Sequence, residues 1–203
     1  ALSAIAFVAL LVQRTEQAHD LQASAMPPVY QALPPFSLLD RDASTVDLDR
    51  LAGAPWIADF VFTHCPGVCP MLTSKMAELA AERASVLAAG RLRLVSVSVD
   101  PARDTPPVLQ SYAEGHGADR DGWHFLTGPK PAVHSLIRDG FQLVLDDSPL
   151  DEGAEAIVHS NRFVLVDGQG RVRGYYDAFE PAALDELRRD LDALLAAPAD
   201  TST

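Results

Sequence analysis

Between Pro55 and Lys75 the chain reads PWIADFVFTHCPGVCPMLTSK, and no other stretch restricts the fold as tightly. The run Ile57 to Phe62 is short, rich in Val, Ile and Phe, and followed by Pro and Gly, which predicts a buried strand. Met71, Leu72, Met76, Leu79 and Ala80 then recur at helical spacing, predicting a helix over 71–89 with Gly90 as its C-terminal cap. The only two cysteines, Cys65 and Cys69, sit where strand hands over to helix. A mixed α/β fold follows, in which a helix N-terminus brings unpaired N–H groups and partial positive charge to the thiols.

Residues four apart on a helical turn lie about 5–6 Å apart at Cβ. Both sulfurs can therefore bind one soft metal ion or close a disulfide. Pro66 and Pro70 stiffen the turn, and Gly67 admits an unusual backbone angle. The helix N-terminus, and His64 when protonated, are expected to favour thiolate at both cysteines. The plainer alternative is two inert core cysteines or a static structural disulfide; the proline-bracketed turn argues against it. Two cysteines make neither a disulfide scaffold nor a four-cysteine zinc site. A net charge of −12 argues against nucleic-acid binding, which wants a basic face. The chain of 203 residues is long enough to bury a core without metal or disulfides.

Ala1 to Val12 is apolar apart from Ser3 and predicts a truncated membrane anchor (1–12), with a signal segment or a surface helix as alternatives. Residues 13–35, polar with Pro27-Pro28 and Pro34-Pro35, predict a tether in which His19 is solvated. Within the domain expected over 36–197, Phe36 to Leu39 and Thr45 to Leu48 predict a hairpin, and Arg91 to Val99 a second core strand. Helices are expected over 105–115, capped by Thr105, over 129–140, and over 181–196. Strands are expected over 124–126, 141–145, 156–166 and 171–176, with an acidic loop over 146–154 and a turn at 167–170. Residues 198–203 read as a polar tail.

Of the six histidines, His159 is the best third metal ligand, because it interrupts an otherwise apolar strand and a buried imidazole needs a partner. A core histidine bonded to backbone remains the alternative. His116, His124 and His134 read as surface or structural, and the helical spacing of Met71 and Met76 fits core packing better than metal binding. Asp100, Arg103 and Asp104 read as a capped, salt-bridged turn.

FTHCPGVCP, followed by SVDPARDTP at Ser98 to Pro106, resembles the Sco/SenC family of membrane-anchored copper-binding thioredoxin-like proteins, over about Pro35 to Leu195. The resemblance implies a thioredoxin-like (peroxiredoxin-like) domain with an N-terminal hairpin. It implies a copper site of Cys65, Cys69 and His159, and delivery of copper to the dinuclear copper centre of cytochrome c oxidase. It also implies an anchored domain on the extracytoplasmic, periplasmic side, with an oxidase subunit as partner. Two departures stand out: Val158 and Gly67 occupy positions where relatives often carry Asp, which alters the surroundings of the site and not its ligand count. The competing function is a thiol-disulfide oxidoreductase using Cys65 and Cys69 on a partner protein, although such enzymes usually carry Cys-x-x-Cys. A peroxidase and a non-redox binding module are weaker options.

Overall fold

The computed structural model describes residues 26–143 and 161–197. In chain order its elements are β1 (Gln31–Ala32), β2 (Ser37–Leu39), β3 (Thr45–Asp47), α1 (Leu48–Leu51), β4 (Trp56–Val61), α2 (Val68–Glu82), α3 (Ala84–Ala88), β5 (Arg93–Ser98), α4 (Pro106–Gly115), β6 (Trp123–Leu126), α5 (Lys130–Ser135) running into a π-helical turn (Leu136–Gly140), β7 (Arg162–Val166), β8 (Arg171–Asp177) and α6 (Pro181–Ala196). Six strands form one sheet in the order β1-β8-β7-β4-β5-β6, and β2 pairs with β3 apart from it. The central strand β4 runs parallel to β5 and antiparallel to β7. All six residues of β4 are buried, as its apolar run predicts.

The β2–β3 hairpin is fastened to β6 through paired backbone bonds between Leu39 and Thr127, at 2.7 and 2.8 Å. Asp40 of its loop reinforces this link. One carboxylate oxygen accepts from the Phe125 amide at 2.9 Å and the other lies 2.5 Å from His124 Nδ1.

Several expectations shift. The hairpin strand stops at Asp47, because the Asp47 side chain accepts from the Arg50 amide and caps α1. The helix expected over 71–89 begins earlier, at Val68, and is interrupted at Arg83, whose φ of −109° and ψ of 21° leave the helical well. Thr105 makes no side-chain cap; Pro106 and Pro107 start α4 with preset φ and no amide to satisfy. Phe141 to Leu143 is not a strand: Phe141 ends the π turn and Gln142 has φ of 51°. The apolar content there is packing, since the Phe141 ring meets Trp56 and Phe60 edge-on at 6.0 and 5.1 Å. Within the stretch expected as tether, β1 pairs with β8 and Leu33 is buried. The readings on 1–25, 144–160 and 198–203, among them the anchor, the acidic loop and the first part of the 156–166 strand, lie outside the described residues. Among the described residues no helix is long and apolar enough to cross a membrane.

Candidate metal and thiol site

At the C-terminal end of β4 the chain leaves the sheet through Phe62 and Thr63 and turns sharply, the Cys65 amide donating to the Phe62 carbonyl at 3.2 Å. Gly67 stands before α2 with φ of −138° and ψ of −87°, outside the helical and extended wells. No side chain of the usual capping type closes the helix. Instead the Cys65 sulfur accepts the amide N–H of Cys69 at 3.4 Å. The two cysteines are free, Cys65 half-buried and Cys69 buried.

This geometry splits the thiols. Burial raises the pKa of Cys65, but the amides of Cys69, Gly67 and Val68, with the Cys69 thiol, outweigh it, and its net pKa falls below the ordinary thiol value. Cys69 moves the other way. Burial pushes its pKa far above the usual range, and the charges of Cys65 and Asp59 push it further. The expectation that both would favour thiolate is therefore corrected for Cys69: three per cent exposure leaves its charged form without water. His64 is exposed and turns to Thr63, with Nδ1 3.1 Å from its hydroxyl.

The turn at 100–104 has a function in the architecture that the sequence leaves hidden. Asp100 and Arg103 do pair, at 3.3 Å. Asp104 instead is wholly buried and reaches across to the end of β4. It accepts from the Thr63 hydroxyl at 2.6 Å, the Thr63 amide at 3.2 Å and the Ser98 hydroxyl at 2.6 Å. The Thr63 hydroxyl spends its hydrogen on Asp104, so it accepts from His64 Nδ1–H. Asp104 thus fixes the residue two positions before Cys65. Asp104→Ala is expected to leave the Thr63 amide and the hydrogens of the Thr63 and Ser98 hydroxyls without their acceptor and to cost about 3 kcal/mol. Urea unfolding of the reduced protein checks this; a loss under about 1 kcal/mol would show that the turn does not depend on the carboxylate.

A second buried acid lies within β4 itself. Asp59 has no exposed surface, and neither of its oxygens has a hydrogen-bond partner. Burial raises its pKa to about 7; the Ser96 hydroxyl, opposite it on β5 but outside hydrogen-bond geometry, limits the rise without satisfying either oxygen. Ser96 is itself engaged by Trp123 Nε1 at 3.0 Å. The charge of Asp59 reaches both Cys69 and Tyr112, whose hydroxyl lies 2.9 Å from Thr73 Oγ1. The signal for Asp59 was one acidic letter inside an apolar run.

Met76 is in the core, as its spacing implies, whereas Met71 is 57% exposed and lies beside exposed Val68 on the first turns of α2. His116 stacks on Tyr112 with ring centres 4.1 Å apart. His159 and Val158 lie outside the described residues. Among the described residues no group of three His, Cys, Asp or Glu side chains could hold a metal ion.

The SCO1/SenC family model matches residues 25–196. The chain belongs to the SCO1/SenC family. Its mixed α/β architecture is the thioredoxin-like fold of Sco proteins. A SCO1/SenC family lipoprotein of Bacillus anthracis str. Ames superposes with a TM-score of 0.74 at 28% identity, covering 84% of this chain and 99% of that one. BsSco, described as a Sco family cytochrome c oxidase assembly protein with a disulfide switch, superposes with a TM-score of 0.70 at 29% identity, covering 86% and 99%. Copper-bound ScoI of Bradyrhizobium japonicum gives a TM-score of 0.64 at 25% identity, covering 78% and 98%.

Proposed function

We propose that this SCO1/SenC protein binds copper through the thiolates of Cys65 and Cys69 and the imidazole of His159, and passes it to the dinuclear copper centre of cytochrome c oxidase. The observation that carries the reading is the thiol pair at the N-terminus of α2, with one sulfur bonded to the backbone of the other cysteine. Two thiolates leave a copper ion short of donors. His159 precedes the first residue of β7 by three positions in the sequence. The antiparallel register of β7 on β4, with Ala58 opposite Val164, directs the start of β7 toward the end of β4 that carries the cysteines. The copper bound to ScoI and the oxidase-assembly role of BsSco support this choice of metal and partner. Residues 36–197 form the binding domain in this reading. Residues 13–35 connect it to an anchor at 1–12, and the domain works on the extracytoplasmic side of a membrane; the lipoprotein relative supports membrane attachment.

The split between the thiols favours a second reading, thiol-disulfide exchange. The Cys65 thiolate would attack a partner's disulfide, forming a mixed disulfide and expelling one partner thiolate. Cys69, on giving its proton to the expelled partner thiolate, would attack the Cys65 sulfur and expel the second. The cysteine pair is oxidised and the partner disulfide reduced by two electrons.

Anaerobic copper titration of the reduced and the oxidised protein tests the first reading. The reduced chain is expected to bind one copper with a sulfur-to-copper charge-transfer band, and the disulfide form to lose that binding, since thiolate is the ligand. Equal affinity in both forms would place the ligands elsewhere. Lowering the pH is expected to weaken binding, because protons compete for both sulfurs and the imidazole.

A further inference from the structure

At the end of the sheet opposite the cysteines lies a cavity of about 350 Å³ that the copper reading does not use. Its lining includes Pro55 and Arg91, just before β4 and β5 begin, and the turn from β7 into β8. The six residues of β4, at about 3.3 Å each, separate it from the cysteine turn by about 20 Å.

The walls combine concentrated positive charge with an apolar strip. Arg91, Arg171 and Arg173 line the cavity beside a single carboxylate, Asp167. Arg171 Nε and Arg173 Nη1 converge on the same Asp167 oxygen, each at 2.8 Å. The other oxygen accepts the amides of Gln169 and Arg171, at 3.0 Å each. That carboxylate is saturated, and its pKa is lowered: burial opposes the charge, and these amides and guanidinium groups outweigh it. Among the described residues three guanidinium groups face one carboxylate, so this lining is cationic in a chain of net charge −12. Arg173, 6% exposed, is pinned by Asp167 and the Pro27 carbonyl, and Arg91 by the Leu195 carbonyl at 2.8 Å. Leu194 and Leu195 of α6 and the half-exposed Met26 supply apolar surface beside them.

We infer that this cavity seats the phosphate headgroup of an anionic phospholipid. The guanidinium N–H groups of Arg91 and Arg171 that are not spent on Leu195 and Asp167 match phosphate oxygens, with buried Arg173 adding charge behind them; the volume suits a glycerophosphate headgroup, and the leucines and Met26 receive the first acyl carbons. The choice of lipid over free phosphate rests on the anchor reading of Ala1 to Val12. Met26, on the lining, follows the end of that apolar run by 14 positions in the sequence. A headgroup held there orients the domain with its cysteine turn pointing away from the bilayer.

The test is calorimetric titration of the full chain with dihexanoylphosphatidylglycerol below its micelle concentration, without copper. Saturable binding of one lipid per chain is expected. Affinity should be about tenfold or more weaker for the phosphatidylcholine analogue and for inorganic phosphate. The double variant Arg91→Gln, Arg171→Gln should lose about tenfold or more while keeping its unfolding transition and its thiol titration; Arg173 is left in place because it is buried in the fold. Inorganic phosphate binding as tightly as the lipid would overturn the lipid assignment. Wild-type affinity in the double variant, or no binding at all, would overturn the site. Flotation with neutral phosphatidylcholine vesicles tests the anchor separately, and neither experiment depends on copper.

Discussion

Asp59→Asn is expected to flatten the pH dependence of folding of the reduced, metal-free protein by about 4 kcal/mol between about pH 4 and about pH 8. The buried carboxyl has its pKa raised from 3.8 to about 7, so over that interval the folded protein holds a proton that the unfolded chain has released. Stability then falls as pH rises, and the penalty is complete above the folded pKa. The displacement, at about 1.4 kcal/mol for each pH unit, sets the size. Asn keeps the shape and carries no charge at any pH, so the variant is comparable to wild type in acid and more stable in mild base. Urea unfolding across the pH range measures it, and parallel profiles for the two proteins would show that Asp59 finds compensation in the fold. The same substitution removes one of the charges that raise the Cys69 pKa, so thiolate absorbance at that residue should appear at lower pH.

His159→Ala is expected to weaken copper(II) binding by about a hundredfold or more, copper(I) binding less, and reduction of a model disulfide hardly at all. A tetragonal copper(II) ion needs more donors than two sulfurs, whereas copper(I) tolerates low coordination. Thiol exchange needs one attacking and one resolving sulfur and no imidazole. Cys65→Ser should abolish both activities. Copper(II) affinity by competition and disulfide reduction rate, measured on each variant, separate the roles. If His159→Ala binds copper(II) like wild type, the three-ligand site is wrong and disulfide exchange becomes the leading function.

Local features were legible in the amino-acid sequence wherever the residues carry their own periodicity. The strand at Trp56–Val61, the helix behind the cysteines and the closing helix at Pro181–Ala196 all follow from spacing. Gln31–Ala32 could not be read this way, because two residues have no period and become a strand only by pairing with Val172 and Arg171. Phe141 misled for the opposite reason: its apolarity is real but serves a contact with Trp56 rather than a strand. At the site, the cysteine turn announced itself by composition. The placement of Asp104 under Thr63 depends on a contact across 41 residues that no local pattern encodes. Asp59 was masked by its neighbours, and Met71 by a spacing that holds for Met76 but leaves Met71 on the outer face.

The position of β4 between a parallel and an antiparallel neighbour sets a schedule for folding. Trp56 meets Arg93 on one edge, but on the other it meets Val166, 110 residues further along the chain. During synthesis the strand that feeds the cysteines therefore has one bare edge until nearly the whole domain has emerged. Closing so large a loop is slow, and an unpaired apolar edge is a template for association with other chains. The thiols become accessible long before the strand beside them is secured. Maturation of this protein thus favours a setting that shields the nascent strand until β7 docks.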